Sequence, residues 1–245
     1  MADVRVAAGF ISSRKKPIEI STDDLQRTKN LADRLEIPFL QQAVCFNPQS
    51  SLSEQHVFDF LLHYTAQVLY LQSLSGSQSI CVDFSDSSFL WRQKQTLAAE
   101  SVVKAVGGKK ALNLNLVDAT AGLGQDSLIL ALFGFNLQLI EGSPIVHALL
   151  EDGLSRASKS DQMGLRAAAN RIQLFPGDSR VLLPQLEEVD IIYLDPMFPE
   201  RNKSAKVKKN MQVLQQLLGH EHTPANLLEI SLNKARRRVV VKRPR

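Results

Sequence analysis

Cysteine, tryptophan and unbroken apolar runs are what this sequence has least of, and each shortage excludes something. Two cysteines, Cys45 and Cys81, stand far apart in 245 residues and in no metal-ligand spacing. A disulfide framework and a cysteine-based metal site are set aside, no metal is expected, and a reducing compartment is the simple reading. The one tryptophan, Trp91, reads as a packing residue ahead of a base-stacking one. No segment comes near the ~20 apolar residues that cross a bilayer, and residues 1–20 lack the apolar run of a signal peptide. A soluble cytoplasmic protein with no membrane partner is expected. Hydrophobic residues at 44% and charged residues at 22% argue against disorder, and the length suffices for a core domain with a small companion.

Acid is scarce too, but only at one end. The net charge is +4, yet residues 195–245 carry twelve Lys and Arg against four Asp and Glu, a local +8 that leaves −4 on the rest. Clustered cations displace counterions from phosphates, so a basic end suits a polyanionic partner. A solvated basic face accounts for the charge equally well.

Before residue 85 the pattern is irregular. A helix is expected at 23–35, capped by Ser21 or Thr22, with Leu25, Leu31 and Leu35 on its apolar side. Strands are expected at 57–64, 68–73 and 80–84, with Ser75, Gly76 and Ser77 as a turn; one helix across the first two is the alternative, because the apolar residues fit both periods poorly. Residues 1–85 thus read as a small α+β domain. After residue 95 strands and helices alternate: helix 96–106 stopping at Gly107, strand 114–119, helix 125–133 closed by Gly134, strand 137–141, helix 145–157, strand 171–175, helix 179–186, strand 190–194, helix 204–218 and strand 238–241. Such alternation predicts an α/β domain at 86–245 with a parallel, doubly wound, Rossmann-like sheet.

In open α/β sheets a ligand binds beyond the carboxyl ends of the strands, where strand order reverses. The first strand of this domain ends in Asp118, Ala119, Thr120, Ala121, Gly122, Leu123, Gly124, with Asp126 opening the next helix. Gly122 and Gly124 permit positive φ and close approach of backbone to a ligand. On the nicotinamide template they fit, but Ser127 takes the third glycine position. Glu141 ends the second strand, spaced to bind both hydroxyls of a ribose, which serves a dehydrogenase and an S-adenosylmethionine enzyme equally. Asp178 follows the third strand, where it would accept from an adenine amine. Each acid alone could be a helix cap; their placement on successive strand ends favours a cofactor site.

The fourth strand ends in Asp195, Pro196, Met197, Phe198, Pro199. A base amine is a poor nucleophile because its lone pair is delocalised into the ring. A run of Asp or Asn, Pro and then an aromatic recurs at this place in enzymes that methylate exocyclic amines. By that pattern the Asp195 carboxylate and Pro196 carbonyl would each take one N–H and turn the lone pair toward a sulfonium methyl, while Phe198 stacks on the base. A Pro-bracketed turn with Phe198 merely packed is the plainer alternative. Arg201, Lys203, Lys206, Lys208 and Lys209 follow with no acid among them and would grip an RNA backbone. For any single lysine a solvated helix face is about as good an account.

Taken with these residues, the chain resembles the ribosomal RNA small subunit methyltransferase J family, whose members methylate the N2 amine of a guanosine in 16S ribosomal RNA. The matching text is Val82-Asp83-Phe84, the KAVG run at 104–107, DATAGLGQD at 118–126, YLDPMFP at 193–199, KSAKVKKNM at 203–211 and RVVVKRP at 238–244. Similarity covers most of the chain after residue 80 and is weak before it. The resemblance implies a class I S-adenosylmethionine-dependent methyltransferase fold, S-adenosyl-L-methionine as cofactor, and 16S ribosomal RNA or the small ribosomal subunit as partner, with no obligate protein partner. It implies cofactor contacts at Gln125 and Asp126, Glu141 and Gly142, Asp178 and Ser179, and Asp195, around the turn of Asp118, Gly122 and Gly124. Relatives often carry a basic residue where Gly142 stands, and continue for two strands past the fifth. Two further readings are an amino methyltransferase of this fold acting on adenine or cytosine in DNA, against which Met197 stands, and a noncatalytic RNA-binding protein, against which Asp195 stands. A nicotinamide oxidoreductase is disfavoured by Ser127. His220 and His222 read as a surface pair without a third ligand.

Overall fold

The structure, a computed structural model, describes residues 4–12, 20–41, 44–45, 58–74, 78–85, 96–196, 209–218 and 225–243. The chain divides into two units, Met1–Cys81 with Asn202–Gly219, and Val82–Arg201 with His220–Arg245.

In the first unit, helix α1 (Thr22–Leu35) starts where a capping serine predicts: Ser21 Oγ accepts from Asp24 N at 3.1 Å. Its inner face differs from the expected one. Leu31 is buried, but Leu25 is 43% exposed and Leu35 is intermediate, while Asp24 and Thr28 are buried. The reason is a polar hook. Strands β4 (Phe60–Thr65) and β5 (Val68–Ser73) form a hairpin whose two turn residues, Ala66 and Gln67, both have positive φ, and the Asp24 carboxylate accepts from both of their backbone N–H groups at 3.1 Å. Thr28 Oγ1 accepts from Tyr64 N at 3.0 Å and donates to Asp24 O at 2.8 Å. Buried polar groups need partners, and these supply one another.

The antiparallel pairing of β4 and β5, with Leu62 opposite Leu71 and Tyr64 opposite Leu69, excludes the single-helix alternative. The first strand starts at Phe60 rather than Val57, which lies outside the described residues, as do Ser75, Gly76 and Ser77. Strand β1 (Val6–Ala8), unforeseen in the irregular N-terminal text, runs parallel to β4, and β6 (Ser79–Ile80) completes the order β1-β4-β5-β6. The expected strand 80–84 leaves this sheet after Ile80. A separate parallel pair joins β2 (Ile11–Ser12) to β3 (Val44–Cys45). Helix α7 (Lys209–Leu218) buries Val213, Leu214 and Leu217, packs on β6 and groups with this unit.

The second unit holds a five-stranded, wholly parallel sheet in the order β11-β10-β7-β8-β9, as the alternation predicted. Its strands are β7 (Leu116–Asp118), β8 (Leu137–Glu141), β9 (Ile172–Pro176), β10 (Ile191–Leu194) and β11 (Arg238–Val241). All four residues of β10 are buried, as expected of a strand covered on both faces. The chain runs outward from β7 through β8 to β9, then returns to lay β10 on the other side of β7. The switch point therefore lies between β7 and β10, and it fixes where a ligand crevice opens.

Helix α3 (Gln125–Phe133) ends at Gly134 as expected, and α4 (Pro144–Ser158) starts at the Ser143 cap. The expected helix 96–106 is broken at Glu100, whose ψ of 134° separates a 3-10 turn, Leu97–Ala99, from α2 (Ser101–Val106). Pro184 similarly confines α6 to Ser179–Leu182, followed by a 3-10 turn at Leu183–Gln185. Two helices were not foreseen. α5 (Met163–Ala169) has no side-chain cap and is held by burying Leu165, Ala168 and Ala169, and α8 (Ala225–Lys234) buries Leu227 and Ser231. Val117, Ala119, Ile140, Ile192 and Leu194 of the sheet meet Leu183, Val189 and Leu227 in one core cluster.

Candidate active site

The turn after β7 is held from below by the strand's own last residue. Asp118 is 2% exposed; its carboxylate accepts from Thr120 N at 3.0 Å and from the Ser127 hydroxyl. Burial pushes its carboxyl up to about 7, against the pull of Ser127 and Thr120 and with a further push from Asp126 and Asp195. Asp118 thus braces the turn. Ser127 has a reason for standing where the nicotinamide template has glycine: a glycine there could not donate to Asp118.

Gly122 and Gly124 adopt φ of 52° and 70°. A Cβ on Gly124 would lie 2.6 Å from Leu150 Cδ1 and 3.6 Å from Phe84 Cζ, so the turn is packed there. A Cβ on Gly122 would meet only Thr120 O, at 4.0 Å, so that side is open to a ligand. Phe84 arrives with the Val82-Asp83-Phe84 motif. Val82 lies so close to Gly153 that a Cβ there would stand 2.7 Å from Val82 Cβ and 2.9 Å from Val82 O. Arg156 donates to Val82 O and pairs with Asp152 at 2.9 Å and Asp83 at 3.9 Å. The motif is a strut between α4 and the glycine turn.

Glu141, at the end of β8, is buried, and its two oxygens accept from Gly122 N and Ser143 N, each at 2.8 Å. Burial raises its carboxyl above the usual range, while N–H groups of Ser143, Gly122 and Gly142 pull it back. Each oxygen keeps a second lone pair, which is what two ribose hydroxyls would need. Gly142 is exposed beside it, and Gln125 is exposed in the first turn of α3. Asp178 caps α6 by accepting from Arg180 N at 2.8 Å, and the Arg180 guanidinium holds its carboxyl below the usual range. Ser179 is buried and donates to Ala119 O at 2.6 Å, so its side chain ties the end of β9 to the end of β7.

Across the switch point, Asp195 follows β10, and its backbone N–H donates to Thr120 Oγ1 at 2.6 Å. Asp195 is thereby fixed to the glycine turn. Lys242 Nζ donates to Asp195 Oδ2 and to Asp126 Oδ2, both at 2.7 Å, and Tyr193 OH donates to the same Asp126 oxygen at 2.7 Å. Burial raises the Asp195 carboxyl, and Lys242 pulls it back. Burial works against the Lys242 ammonium, but the two carboxylates prevail and raise it. Burial, then Asp126, raises the Tyr193 phenol, which stays a donor. In the sequence Lys242 stands only as one residue of the RVVVKRP run. Its signal is strand register: Leu194 pairs with Val241, so the residues after them stand abreast.

Pro196 directly follows Asp195 in the described chain. Met197, Phe198, Pro199, Arg201, Lys203, Lys206, Lys208, His220 and His222 lie outside the described residues, and Lys209 enters only as the first backbone residue of α7. Among the described residues no group of His, Cys, Asp and Glu could hold a metal ion, and no helix is long and apolar enough to cross a membrane.

Comparison with known proteins places this geometry. The family model described as "Putative SAM-dependent methyltransferase" matches residues 46–245. Proteins named Ribosomal RNA small subunit methyltransferase J are similar over most of the chain. The one from Shewanella sediminis is 39% identical over 83% of this chain and 79% of its own. That from Aeromonas salmonicida is 42% identical over 80% of each, and that from Nitrosococcus oceani 38% over 92% and 86%. A solved SAM-dependent methyltransferase from Neisseria gonorrhoeae superimposes with a TM-score of 0.66 at 26% identity, covering 98% of this chain and 85% of that one.

Proposed function

Since the chain belongs to the ribosomal RNA small subunit methyltransferase J family, of S-adenosylmethionine-dependent methyltransferases, we propose that it methylates the N2 amine of a guanosine in 16S ribosomal RNA. The observation that carries this reading is the bond from Asp195 N to Thr120 Oγ1, which sets an amine-binding carboxylate beside a glycine turn suited to a nucleoside cofactor.

The residues present fit S-adenosylmethionine: the open side of Gly122, the spare lone pairs of Glu141 for a ribose, and Asp178, whose oxygens accept from Arg180 and would exchange that guanidinium for an adenine amine. Gln125, Asp126, Gly142 and Ser179 complete the surround, Ser179 through its backbone. When bound, the cofactor supplies an electrophilic methyl on a sulfonium centre. The chain does the rest by orientation. Asp195 and the Pro196 carbonyl each accept one N–H of the amine, turning its lone pair out of conjugation, and Phe198 stacks on the ring. Oδ2 of Asp195 is occupied by Lys242, so Oδ1 takes the amine N–H and is placed to receive the proton shed on alkylation. Arg201, Lys203, Lys206, Lys208 and Lys209 hold phosphates flanking the target.

The test is incubation with labelled S-adenosylmethionine and small ribosomal subunits or 16S RNA from a strain lacking this activity, followed by nucleoside analysis. Label in 2-methylguanosine is expected. Label in methyladenosine or methylcytidine, or none at all, overturns the reading.

A further inference from the structure

We infer that Lys242 is a positioning residue for methyl transfer: its ammonium, clamped between Asp126 and Asp195, holds the Asp195 carboxylate ionised and aimed at the substrate amine. The inference rests on the assignment of Asp195 as amine acceptor. Three carboxylates crowd the switch point, Asp118 at the end of β7, Asp126 in α3 and Asp195 after β10. Like charges at such range disfavour one another's ionisation. Asp118 is buried and accepts from Ser127, and Asp126 accepts from Tyr193. Asp195 Oδ2 has Lys242 as its cation, at 2.7 Å. These four groups are the titratable ones that face Asp195 among the described residues.

A protonated Asp195 would carry an O–H on one oxygen and compete for its own acceptor role. The amine, with no pair of acceptors to reshape it, would stay conjugated and unreactive. Burial and the Asp126 carboxylate both push Asp195 toward that dead form, and Lys242 opposes them. Geometry adds to charge: Lys242 N donates to Leu194 O at 2.8 Å, so the ammonium comes from a residue fixed in the strand ladder. The cation occupies Oδ2 and leaves Oδ1 for the substrate.

The experiment compares wild type, Lys242→Met, Lys242→Arg and Asp195→Ala in single-turnover methyl transfer from about pH 6 to about 8.5, with calorimetric titration of S-adenosylhomocysteine at the upper pH. Removing the cation moves the acid limb upward, so as pH falls Lys242→Met loses activity before wild type does. The loss relative to wild type grows as pH falls, toward about tenfold for each pKa unit by which the limb moves. Lys242→Arg follows the wild-type profile, and homocysteine-nucleoside affinity stays within about threefold of wild type for both Lys242 variants. A Lys242→Met profile parallel to wild type, a loss equal at every pH, or an arginine variant that behaves like methionine overturns the inference. Undiminished transfer by Asp195→Ala overturns the acceptor assignment and this inference with it. Loss in Asp195→Ala beside an unshifted Lys242→Met profile overturns the inference alone.

Discussion

Of the two strands that flank β7, one ends in Glu141 and the other is followed by Asp195, and the two carboxylates are held in opposite ways. Glu141 is buried and takes two backbone N–H groups, from Gly122 and Ser143. Asp195 is about one-third exposed and its carboxylate is held by a lysine side chain that is itself half exposed. A backbone donor neither titrates nor rotates away, whereas a lysine does both. The end of the crevice proposed for the ribose is thus built with the sheet, and the end proposed for the amine stays adjustable. The difference suits a site with one invariant small ligand and one base belonging to a large polymer: the first rewards rigidity, the second needs a carboxylate that can exchange partners on arrival.

The largest effect is expected at the adjustable end. Asp195→Ala should lower single-turnover methyl transfer by roughly 10²–10³-fold or more, the scale for removing one group that acts on the reacting centre. Its unfolding midpoint should hardly move, because an exposed ion pair contributes little. A midpoint drop that matches the activity loss would make the two ends alike. Next comes Glu141→Gln. Its amide can accept only one of the two backbone N–H groups and turns a donor toward the other, which costs about 1–3 kcal/mol of stability. S-adenosylmethionine affinity should fall about tenfold by calorimetry; unchanged affinity would remove Glu141 from the ribose. The smallest effect is a slope. Asp118 titrates at about 7 in the fold and near ~3.9 when unfolded, so its contribution favours the fold at low pH and is lost as pH rises through about 7. Thermal unfolding between about pH 5.5 and 8.5 should therefore show a flatter dependence in Asp118→Asn than in wild type. Parallel curves would mean that Asp118 stays charged beneath the turn.

The catalytic half of the fold was legible because its signals are local. Gly124 and Gly134 bracket α3, Ser143 caps α4, and the apolar run of β10 has no polar residue to confuse it. α5 and α8 escaped because neither announces itself: Gln162 makes no capping bond, and an alanine-rich turn has little periodicity until Leu165, Ala168 and Ala169 are packed. In the first unit the hydrophobic pattern misled. Asp24 is buried where a leucine was expected, since its partner N–H groups at Ala66 and Gln67 lie some forty residues away and come near only through the hairpin. The site divided along the same line. Asp195 and Glu141 are readable as strand-end carboxylates, whereas Asp118 and Ser179 are expected as cofactor contacts and Ser127 as a departure from the nicotinamide template; that they brace the turn shows only in the fold. Lys242 stayed hidden because its meaning depends on which strand lies beside which.

That β11 is the last strand described, and lies against β10, has a consequence in time. The elements that shape the ribose end come from residues 116–179, whose contacts close over short stretches of chain. The ammonium at the amine end comes from residue 242, more than a hundred residues after Asp126, and reaches it only once β11 has zipped onto β10 in register. A chain emerging from its own ribosome would thus assemble the proposed ribose pocket well before Lys242 reaches Asp195, and a one-residue slip of β11 would turn Lys242 to the opposite face.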